Sequence, residues 1–413
     1  MASREATLAP DEAAGARRAR LLNRAGLALA LLWVALIGLT LAPDPDDFQY
    51  YWQGAAAIAR YGDPYFLIHG NQPAVAYVYP PLFAYLILPL GWLPLRAAQL
   101  VWFGLNVLML AALLATCVRL SGSALARRYW GVLALLALLA PPTRLSLQLG
   151  QVSILMALVM LGALALARRR PWASAALLAL AALVKIYPAA LSGYFLLRRR
   201  GVLARALVAG ALLVALSLLV HGPAPYSNYL SKVVLGRDYP YFGEHNISLY
   251  GFWGRLLTAS DYGVPIADVP WLARLLTLGC AAAALALCAW ASRGPATALA
   301  EQLRFGAWLC AMMLISPSNG AYTFVVLLLP LLGAARALEL RPDRRARAWL
   351  VVGAALVCWP PAWTDWQPWL YNRLHIGFGL LLLTPAFYGL LLCTGLLAWL
   401  ARREQAPLDA NSV

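Results

Sequence analysis

The sequence predicts an all-α protein that crosses a membrane many times, and three observations support this fold class. The 413-residue chain is 62% hydrophobic and only 12% charged. Apolar runs of about 15 to 20 residues recur along it, close to the length that a helix needs to cross a bilayer. Clusters of arginine separate these runs. Together they predict about 10–13 membrane helices, some broken or re-entrant, and an interfacial helix after the first span.

The arginine clusters indicate which side of the membrane each connection faces. The formal net charge is +16, but the basic residues lie between apolar runs, so a nucleic-acid partner is not predicted. An excess of arginine marks cytoplasmic connections. We therefore predict cytoplasmic tails at residues 1–24 and 402–413, and one domain in the plasma membrane at residues 25–401. The acidic residues lie mainly in other connections, which we place on the outer side.

The first elements follow from this pattern. Residues 25–41 are predicted to form a retained first span, because no small-residue cleavage site follows the apolar run. A short amphipathic helix is then predicted at the outer interface, and Gly62 ends it. Its apolar residues are Phe48, Tyr51, Trp52, Ala55, Ile58 and Ala59.

Nine further apolar runs are predicted to cross the membrane. They cover residues 79–93, 97–118, 152–167, 203–220, 271–290, 305–315, 322–335, 349–359 and 377–400. With the first span they give about ten crossings. The alternation of sides places residues 119–128 outside, although this connection contains three arginines.

Two apolar segments are predicted not to cross. Residues 129–140 stop at Pro141 and Pro142, which indicates a half-helix. Residues 171–197 have a triple-arginine cluster at each end, so both ends are expected in the cytoplasm. A hairpin of two short helices with Lys185 near its tip fits this segment. Irregular backbone at membrane depth is tolerated where it is buried in protein or lines a cavity.

Cofactor and metal sites are not predicted. The six cysteines all lie within apolar runs, and none forms a CxxC pair or a cluster with histidine. The sequence contains no glycine-rich phosphate loop and no Ser/His/Asp arrangement.

Asp47 is the first candidate for chemistry. It follows Asp46 just beyond the first span, where charge is rare in so apolar a chain. A carboxylate there can act as general base towards a hydroxyl. Either aspartate can instead cap the helix that begins at Phe48. Asp46 is therefore the second choice for the base.

Lys185 is the second candidate. The chain has only two lysines, Lys185 and Lys232. Placing a lysine in an apolar element costs about 2.5–3.5 kcal/mol on insertion scales, so we expect it to pair with an anion such as a phosphate. The alternative is a side chain that extends to the interface.

An outer loop rich in aromatic and polar residues is the third candidate. Aromatic rings that stack on sugars and polar groups that bind hydroxyls are expected at a sugar site. The alternative is an interfacial loop with an aromatic belt. The polar residues are Glu244, His245, Asn246, Ser248 and Arg255.

Two weaker candidates lie at helix breaks, where capping is the alternative explanation for each. One contains Arg144, Gln148, Gly150 and Gln151, and the other is the turn at residues 316–319.

Taken together, these segments resemble the family 87 glycosyltransferases, which are integral membrane enzymes of the GT-C class. Six segments in the right order carry the resemblance. They are Asp47-Phe48 with Tyr50 or Tyr51 and Gly62-Asp63-Pro64-Tyr65; Tyr79-Pro80-Pro81-Leu82 with Pro89; Gly150-Gln151; Lys185-Ile186-Tyr187-Pro188; His245-Asn246-Ile247-Ser248-Leu249 with Arg255; and Ser316-Pro317 with Pro330.

The resemblance implies a GT-C-type helical bundle that transfers a hexosyl residue, usually mannosyl and sometimes arabinofuranosyl. The donor is a polyprenyl-phosphate sugar and the acceptor a lipid or glycan. Transfer takes place on the outer face, with inversion and without a metal. The base role falls on Asp47.

The other site residues are expectations built on that resemblance and on charge. We expect Lys185, Arg144 and Gln151 to bind the donor phosphate. We expect the sugar and the acceptor to contact six residues, namely Tyr51, Tyr79, His245, Asn246, Ser248 and Arg255.

The chain departs from the family pattern at one place. Many members have a histidine shortly after the Ser-Pro turn, whereas residues 319–323 here are Asn, Gly, Ala, Tyr and Thr. This departure leaves a donor or acceptor other than the mannosyl type open. A transporter or flippase of lipid-linked sugars is the alternative function, and it would need polar residues through the full membrane depth.

Overall fold

A computed structural model describes residues 10–41, 47–66, 77–235, 241–295, 297–360 and 368–404. Within these ranges the chain is helical and contains no named strand, which confirms the all-α prediction. Asp46, the second choice for the base, lies outside the described residues.

Twenty α-helices follow one another in these ranges. They are α1 Pro10–Leu39, α2 Phe48–Tyr61, α3 Pro81–Leu86, α4 Leu88–Gly91, α5 Leu95–Ser121, α6 Ala124–Arg128, α7 Trp130–Leu139, α8 Pro141–Gln148, α9 Ser153–Leu166, α10 Pro171–Val184, α11 Ser192–Arg198, α12 Arg200–His221, α13 Ala224–Asn228, α14 Leu249–Leu257, α15 Pro270–Ala291, α16 Ala298–Ile315, α17 Leu328–Leu340, α18 Arg344–Val357, α19 Pro368–Leu374 and α20 Pro385–Arg403. Three 3₁₀ segments and one π-helical segment join them. The 3₁₀ segments are Tyr187–Leu191, Ala321–Leu327 and Gly377–Leu381, and the π segment is Tyr229–Val234.

Seven helical segments are long and apolar enough to cross a membrane. They are Ala14–Leu39, Leu95–Ser121, Arg200–His221, Pro270–Ala291, Ala298–Ile315, Ala321–Leu340 and Pro385–Arg403. The helix α12 leaves large apolar side chains uncovered, such as Leu212 at 64% and Leu219 at 85% exposure. Apolar surface of this extent needs lipid around it. The chain is a multi-pass membrane protein.

The helix α16 forms the centre of the bundle. Every residue from 303 to 314 is buried, and α16 packs against α15, α17 and α20. It runs between two ends of the bundle that differ in chemistry.

One end of the bundle, which we call the basic end, collects the arginine clusters. The Arg341 guanidinium donates to the backbone oxygen of Arg403 at 3.0 Å, and Arg402 donates to that of Arg293 at 3.2 Å. The other end, which we call the site end, holds the start of α2, whose Phe48 N–H donates to the oxygen of Leu149 at 3.1 Å.

The connection at residues 119–128 lies at the basic end, so its prediction on the opposite side was wrong. Ser123 Oγ donates to Glu339 Oε1 at 2.6 Å, and Asn23 Nδ2 donates to the oxygen of Arg128 at 2.9 Å. The cause of the error is the segment at residues 79–93, because counting it as a crossing reversed the side of the connection that follows the next span. Pro81 begins α3 and Pro89 lies in the first turn of α4, so the structure has two short helices there.

The predicted helix breaks are present. The helices α7 and α8 meet at Pro141 with a bend of 64°. The helix α10 ends at Val184, Lys185 is extended, and α11 leads back to the basic end. The amphipathic helix is α2, and Gly62 ends it with a φ of 71°, a conformation that glycine adopts without strain.

A buried ion cluster holds the basic end together. Glu301 accepts hydrogen bonds from Arg198 at 2.5 Å, from Arg304 at 3.1 Å and from the Tyr194 hydroxyl at 2.5 Å. The Arg304 side chain is fully buried. A buried cation of this kind requires its anionic partner.

We expect Glu301→Gln to destabilise the fold, because it leaves Arg198 and Arg304 buried without a negative charge. Removing one partner of a buried pair costs about 3–5 kcal/mol. Thermal unfolding of the detergent-solubilised protein measures this as a drop in the midpoint. Arg60→Gln, at an exposed position, is the control and should stay near the wild-type midpoint. Equal midpoints for the two variants would contradict a stabilising role for the cluster.

Candidate active site

The position of Asp47 is fixed by the contact between α2 and the end of α8. Phe48 stacks on Trp102 with ring centroids 6.0 Å apart, and Trp102 Nε1 donates to the oxygen of Gly150 at 2.6 Å. A side chain at Gly150, where φ is 65°, would meet the Phe48 Cβ at 2.6 Å. Glycine is therefore needed for this close approach.

Asp47 stands at the N-cap position of α2, but its side chain makes no capping hydrogen bond to the helix. The capping interpretation therefore does not describe Asp47. Its carboxylate is close enough to interact electrostatically with Tyr51, Tyr79, Tyr322 and Lys185.

Tyr51, Tyr79 and Gln151 form a hydrogen-bonded cluster near Asp47. The Tyr51 hydroxyl donates to Gln151 Oε1 at 2.8 Å and lies 2.9 Å from the Tyr79 hydroxyl. Gln151 is fully buried, and its Nε2 finds no hydrogen-bond partner among the residues that the structure describes. Tyr51 and Gln151 therefore connect α2 to the start of α9.

Lys185 lies over three aromatic rings at the break after α10. Its Nζ is 5.2 Å from the ring centroid of Tyr79, 5.3 Å from that of Tyr187 and 5.4 Å from that of Tyr322. A cation within about 6 Å of a ring face is attracted by the ring quadrupole. The rings hold the ammonium group in place while leaving it able to attract an anion.

A cavity of about 430 Å³ opens beside these groups. It brings together three of the predicted residues: Asp47, Arg144 and His245. The remaining lining residues are Leu145, Leu149, Tyr241, Glu244, Ile247, Ser318, Gly320, Ala321, Tyr322, Trp359, Pro360, Leu383, Thr384, Pro385 and Ala386. We call this space the polar cavity.

Asn246 does not line the polar cavity but supports its wall. The side chain is fully buried, and its Nδ2 donates to the oxygens of Tyr241 at 2.8 Å and Pro317 at 2.9 Å. Its Oδ1 accepts from the N–H of Asn319 at 3.1 Å. Asn246 thereby joins the loop before α14 to the turn after α16.

Ser248 and Arg255 also stand behind the wall. Ser248 Oγ caps α14 by accepting from the N–H of Gly251 at 3.0 Å. Arg255 donates to the oxygen of Gly243 at 2.7 Å and to Thr384 Oγ1 at 3.2 Å. The sequence singled out these residues for sugar contact, and the structure gives them partners within the protein.

Glu244, one of the polar residues of the third sequence candidate, also lines the cavity. Tyr241, Tyr322 and Trp359 line it without having been assigned a role from the sequence. Tyr322 falls in the stretch where the family pattern places a histidine, and its ring faces Lys185, so the departure from the pattern was the signal for this residue. For Tyr241 and Trp359 there was no signal, because aromatic residues near a membrane interface are too common to identify a site.

Glu244 is hydrogen-bonded by His375 and lies close to His245. Its Oε2 lies 3.3 Å from His375 Nε2, and its Oε1 lies 3.8 Å from His245 Nε2. The hydrogen bond from His375, with the positive charges nearby, holds the pKa of Glu244 below its usual value despite partial burial. Glu244 is therefore a carboxylate near neutral pH.

A second cavity, of about 340 Å³, lies beside the first and is almost entirely apolar. We call it the apolar cavity. Three chain segments supply walls to both: the start of α8, the residues around Tyr322, and the end of α18. The apolar cavity is lined by Leu110, Leu133, Leu136, Ala137, Ala140, Pro142, Thr143, Phe324, Val325, Leu328, Leu331, Leu332, Leu350, Ala354, Val357 and Cys358.

Comparison with known proteins identifies the family. The model for glycosyltransferase family 87 matches residues 77–317, more than half of the chain. A polyprenol-phosphate-mannose-dependent alpha-(1-2)-phosphatidylinositol pentamannoside mannosyltransferase of Mycobacterium tuberculosis (strain CDC 1551 / Oshkosh) is 27% identical over 393 residues, which are 89% of this chain and 85% of the relative.

Two further relatives match shorter stretches. The protein of the same description from Mycolicibacterium smegmatis is 30% identical over 203 residues, 48% of each chain. A polyprenol-phosphate-mannose-dependent alpha-(1-2)-phosphatidylinositol mannoside mannosyltransferase of M. tuberculosis (strain ATCC 25618 / H37Rv) is 33% identical over 202 residues, 43% of this chain and 45% of the relative. The match thus spans about half the length of these two proteins. The family match over residues 77–317 and the apolar helices show a membrane glycosyltransferase, and the chain belongs to glycosyltransferase family 87.

Proposed function

We propose that this chain transfers a mannosyl residue from a polyprenyl-phosphate donor to a hydroxyl of a lipid or glycan acceptor. The observation that carries the proposal is the polar cavity, where Asp47 and Arg144 share one space and Lys185 faces its Tyr322 wall. The names of the relatives support mannose over arabinofuranose and a phosphatidylinositol mannoside as the acceptor class.

Asp47 is the proposed general base. As the acceptor hydroxyl attacks the anomeric carbon, Asp47 takes its proton, and the bond from that carbon to the phosphate oxygen breaks. Because attack and departure lie on opposite faces in one displacement, the configuration of the sugar inverts. A β-linked donor therefore gives an α-glycoside.

Lys185 and Arg144 are proposed to stabilise the leaving phosphate. Negative charge grows on that group as the sugar departs, and preorganised cations lower the barrier most where charge develops. Arg144 lines the cavity, and its Nε has no hydrogen-bond partner within the described ranges. Lys185 lies at the break after α10, and Arg144 lies in the first turn of α8, just after the bend between α7 and α8.

The apolar cavity supports a lipid-linked donor. An amphiphile with a phosphate next to Arg144 would find apolar walls immediately beyond Pro142 and Thr143, on the same turn of α8. We propose that the isoprenoid chain lies there. Because the chain of a membrane-bound donor is already out of water, its binding in this cavity would be stabilised by packing contacts with the apolar walls.

The site end is proposed to face outward, with both termini in the cytoplasm. The arginine clusters at the opposite end support this orientation. The polar cavity belongs to the site end alone, which favours transfer at one face over transport through the full depth of the bundle.

We expect Asp47→Asn to lower kcat by about 10²–10⁴-fold, since the amide cannot accept the proton. Release of polyprenyl phosphate from polyprenyl-phosphate-mannose, at saturating acceptor, measures this loss. Asp261→Asn is the matched control, because Asp261 is exposed and does not line the cavity. Turnover by Asp47→Asn within about threefold of the control would overturn the base assignment.

We expect Lys185→Gln to reduce kcat by about 10²–10³-fold, the size of effect seen when one group that stabilises developing charge is removed. The control is Lys232→Gln. Lys232 is the other lysine of the chain and donates to the oxygen of Tyr65 at 3.1 Å. Equal losses in both variants would indicate a general effect of lysine removal and would contradict a role for Lys185 at the phosphate.

We expect Ala354→Phe, which fills part of the apolar cavity, to raise the KM for a long-chain donor about tenfold, because the phenyl ring removes packing contacts of the isoprenoid chain worth about 1.4 kcal/mol. A donor with a short isoprenoid chain should bind both proteins alike. Ala355→Phe is the control, because Ala355 is the exposed neighbour on the same helix. A KM that rises equally for both donors would place the lipid chain elsewhere.

A further inference from the structure

Glu244 brings a second carboxylate into the cavity that holds Asp47, and the proposed displacement does not use it. Its side chain is 17% exposed, so it faces the cavity without being open to bulk solvent. A carboxylate kept ionised in such a place needs a ligand or partner that donates hydrogen bonds.

The geometry around Glu244 is fixed from both sides. Behind the loop, Arg255 donates to the oxygen of Gly243 at 2.7 Å, and the N–H of Asn246 donates to the same oxygen at 2.9 Å. On the opposite side, the N–H of Val264 donates to the oxygen of His375 at 2.9 Å. Backbone hydrogen bonds therefore fix both the loop that carries Glu244 and the segment that carries His375.

His375 does not occupy all the hydrogen-bond acceptor positions of the Glu244 carboxylate. It binds Oε2 at 3.3 Å, whereas His245, whose side chain is 56% exposed, lies 3.8 Å from Oε1. An ionised carboxylate accepts about four hydrogen bonds. The remaining acceptor positions suit donors such as hydroxyl groups that enter from the cavity.

The negative charge of Glu244 determines which part of a substrate can bind beside it. A carboxylate repels a phosphate, so the donor phosphate belongs with Arg144 and Lys185. The uncharged, hydroxyl-rich part of a substrate suits Glu244. Aromatic rings of Tyr241, Tyr322 and Trp359 line the same cavity, and such rings stack on the apolar faces of sugars.

We propose that Glu244, positioned by His375, accepts hydrogen bonds from hydroxyls of the acceptor's sugar ring and so binds that ring in the polar cavity. This inference rests on the proposed function, because it divides the polar cavity into a phosphate side and an acceptor side. Glu244 contacts substrate, whereas His375 is a positioning residue.

The test is steady-state kinetics of the detergent-solubilised full chain, with polyprenyl-phosphate-mannose as donor and phosphatidylinositol mannosides in micelles as acceptors. Glu244→Gln should raise the acceptor KM about 10- to 100-fold, the loss expected for hydrogen bonds to a charged group. Both kcat at saturating acceptor and the donor KM should stay within about twofold of wild type.

Two further variants and a control complete the experiment. Glu244→Asp keeps the charge but draws it back from the cavity, so the acceptor KM should rise by less. His375→Gln retains a donor and should also raise the acceptor KM by less than Glu244→Gln. His221→Gln is the control, since His221 stacks on Tyr85 with ring centroids 4.2 Å apart and does not line the cavity.

The outcomes separate the inference from the proposed function. A wild-type chain that transfers no mannose to these acceptors contradicts the proposed function. If wild type is active, an acceptor KM unchanged in both Glu244→Gln and Glu244→Asp overturns the inference alone. A loss of kcat with an unchanged acceptor KM also overturns it, because Glu244 would then act in the chemical step. If Glu244→Gln fails to fold, as judged by its unfolding midpoint, Glu244→Asp decides.

Discussion

The active site depends on one constraint: a bundle of apolar helices presents irregular polar backbone at membrane depth only where helices end or break. Several polar groups of the site sit at such places. Lys185 follows the last residue of α10, Gly150 and Gln151 separate α8 from α9, and Asp47 precedes α2. The backbone N–H and C=O groups at these breaks also need hydrogen-bond partners. The breaks therefore lie close together and form hydrogen bonds with one another. The contact of Phe48 N–H with Leu149 is the clearest case.

The site is divided by charge as well as by polarity. Arg144 lines the polar cavity on α8, which also borders the apolar cavity, and Lys185 lies over the Tyr322 ring. Glu244 and His245 lie in the loop before α14, and His375 contacts Glu244 from the segment after α19. In the proposed function an amphiphilic donor spans the boundary between the two cavities, and the acceptor meets the acidic side. In that arrangement Asp47 lines the polar cavity, where the donor sugar and the acceptor would meet. The buried cluster around Glu301 plays no part in this chemistry, but it fixes the basic end against which α11, α15 and α16 are held.

Much of this arrangement could be predicted from the sequence because it follows from local rules. Helical spacing of apolar residues predicted α2, Gly62 marked its end, and paired arginine clusters indicated the hairpin around Lys185. Counting crossings failed at residues 79–93, where prolines divide an apolar run that is otherwise long enough to span. The predicted side of residues 119–128 was wrong for the same reason, although the arginines in this connection indicated the correct end.

Long-range contacts set the limit of sequence reasoning. Asn246 and Arg255 look like ligands for a sugar, but their partners are backbone oxygens of Tyr241, Gly243 and Pro317 that only the fold brings near. In the same way, His375 lies far along the chain from Glu244, and nothing local marks the pair. A cryo-electron microscopy structure with bound polyprenyl phosphate would test the proposed donor site most directly. We expect the phosphate between Arg144 and Lys185 and the isoprenoid chain in the apolar cavity. A phosphate bound at Glu244 or at the basic end would contradict this assignment.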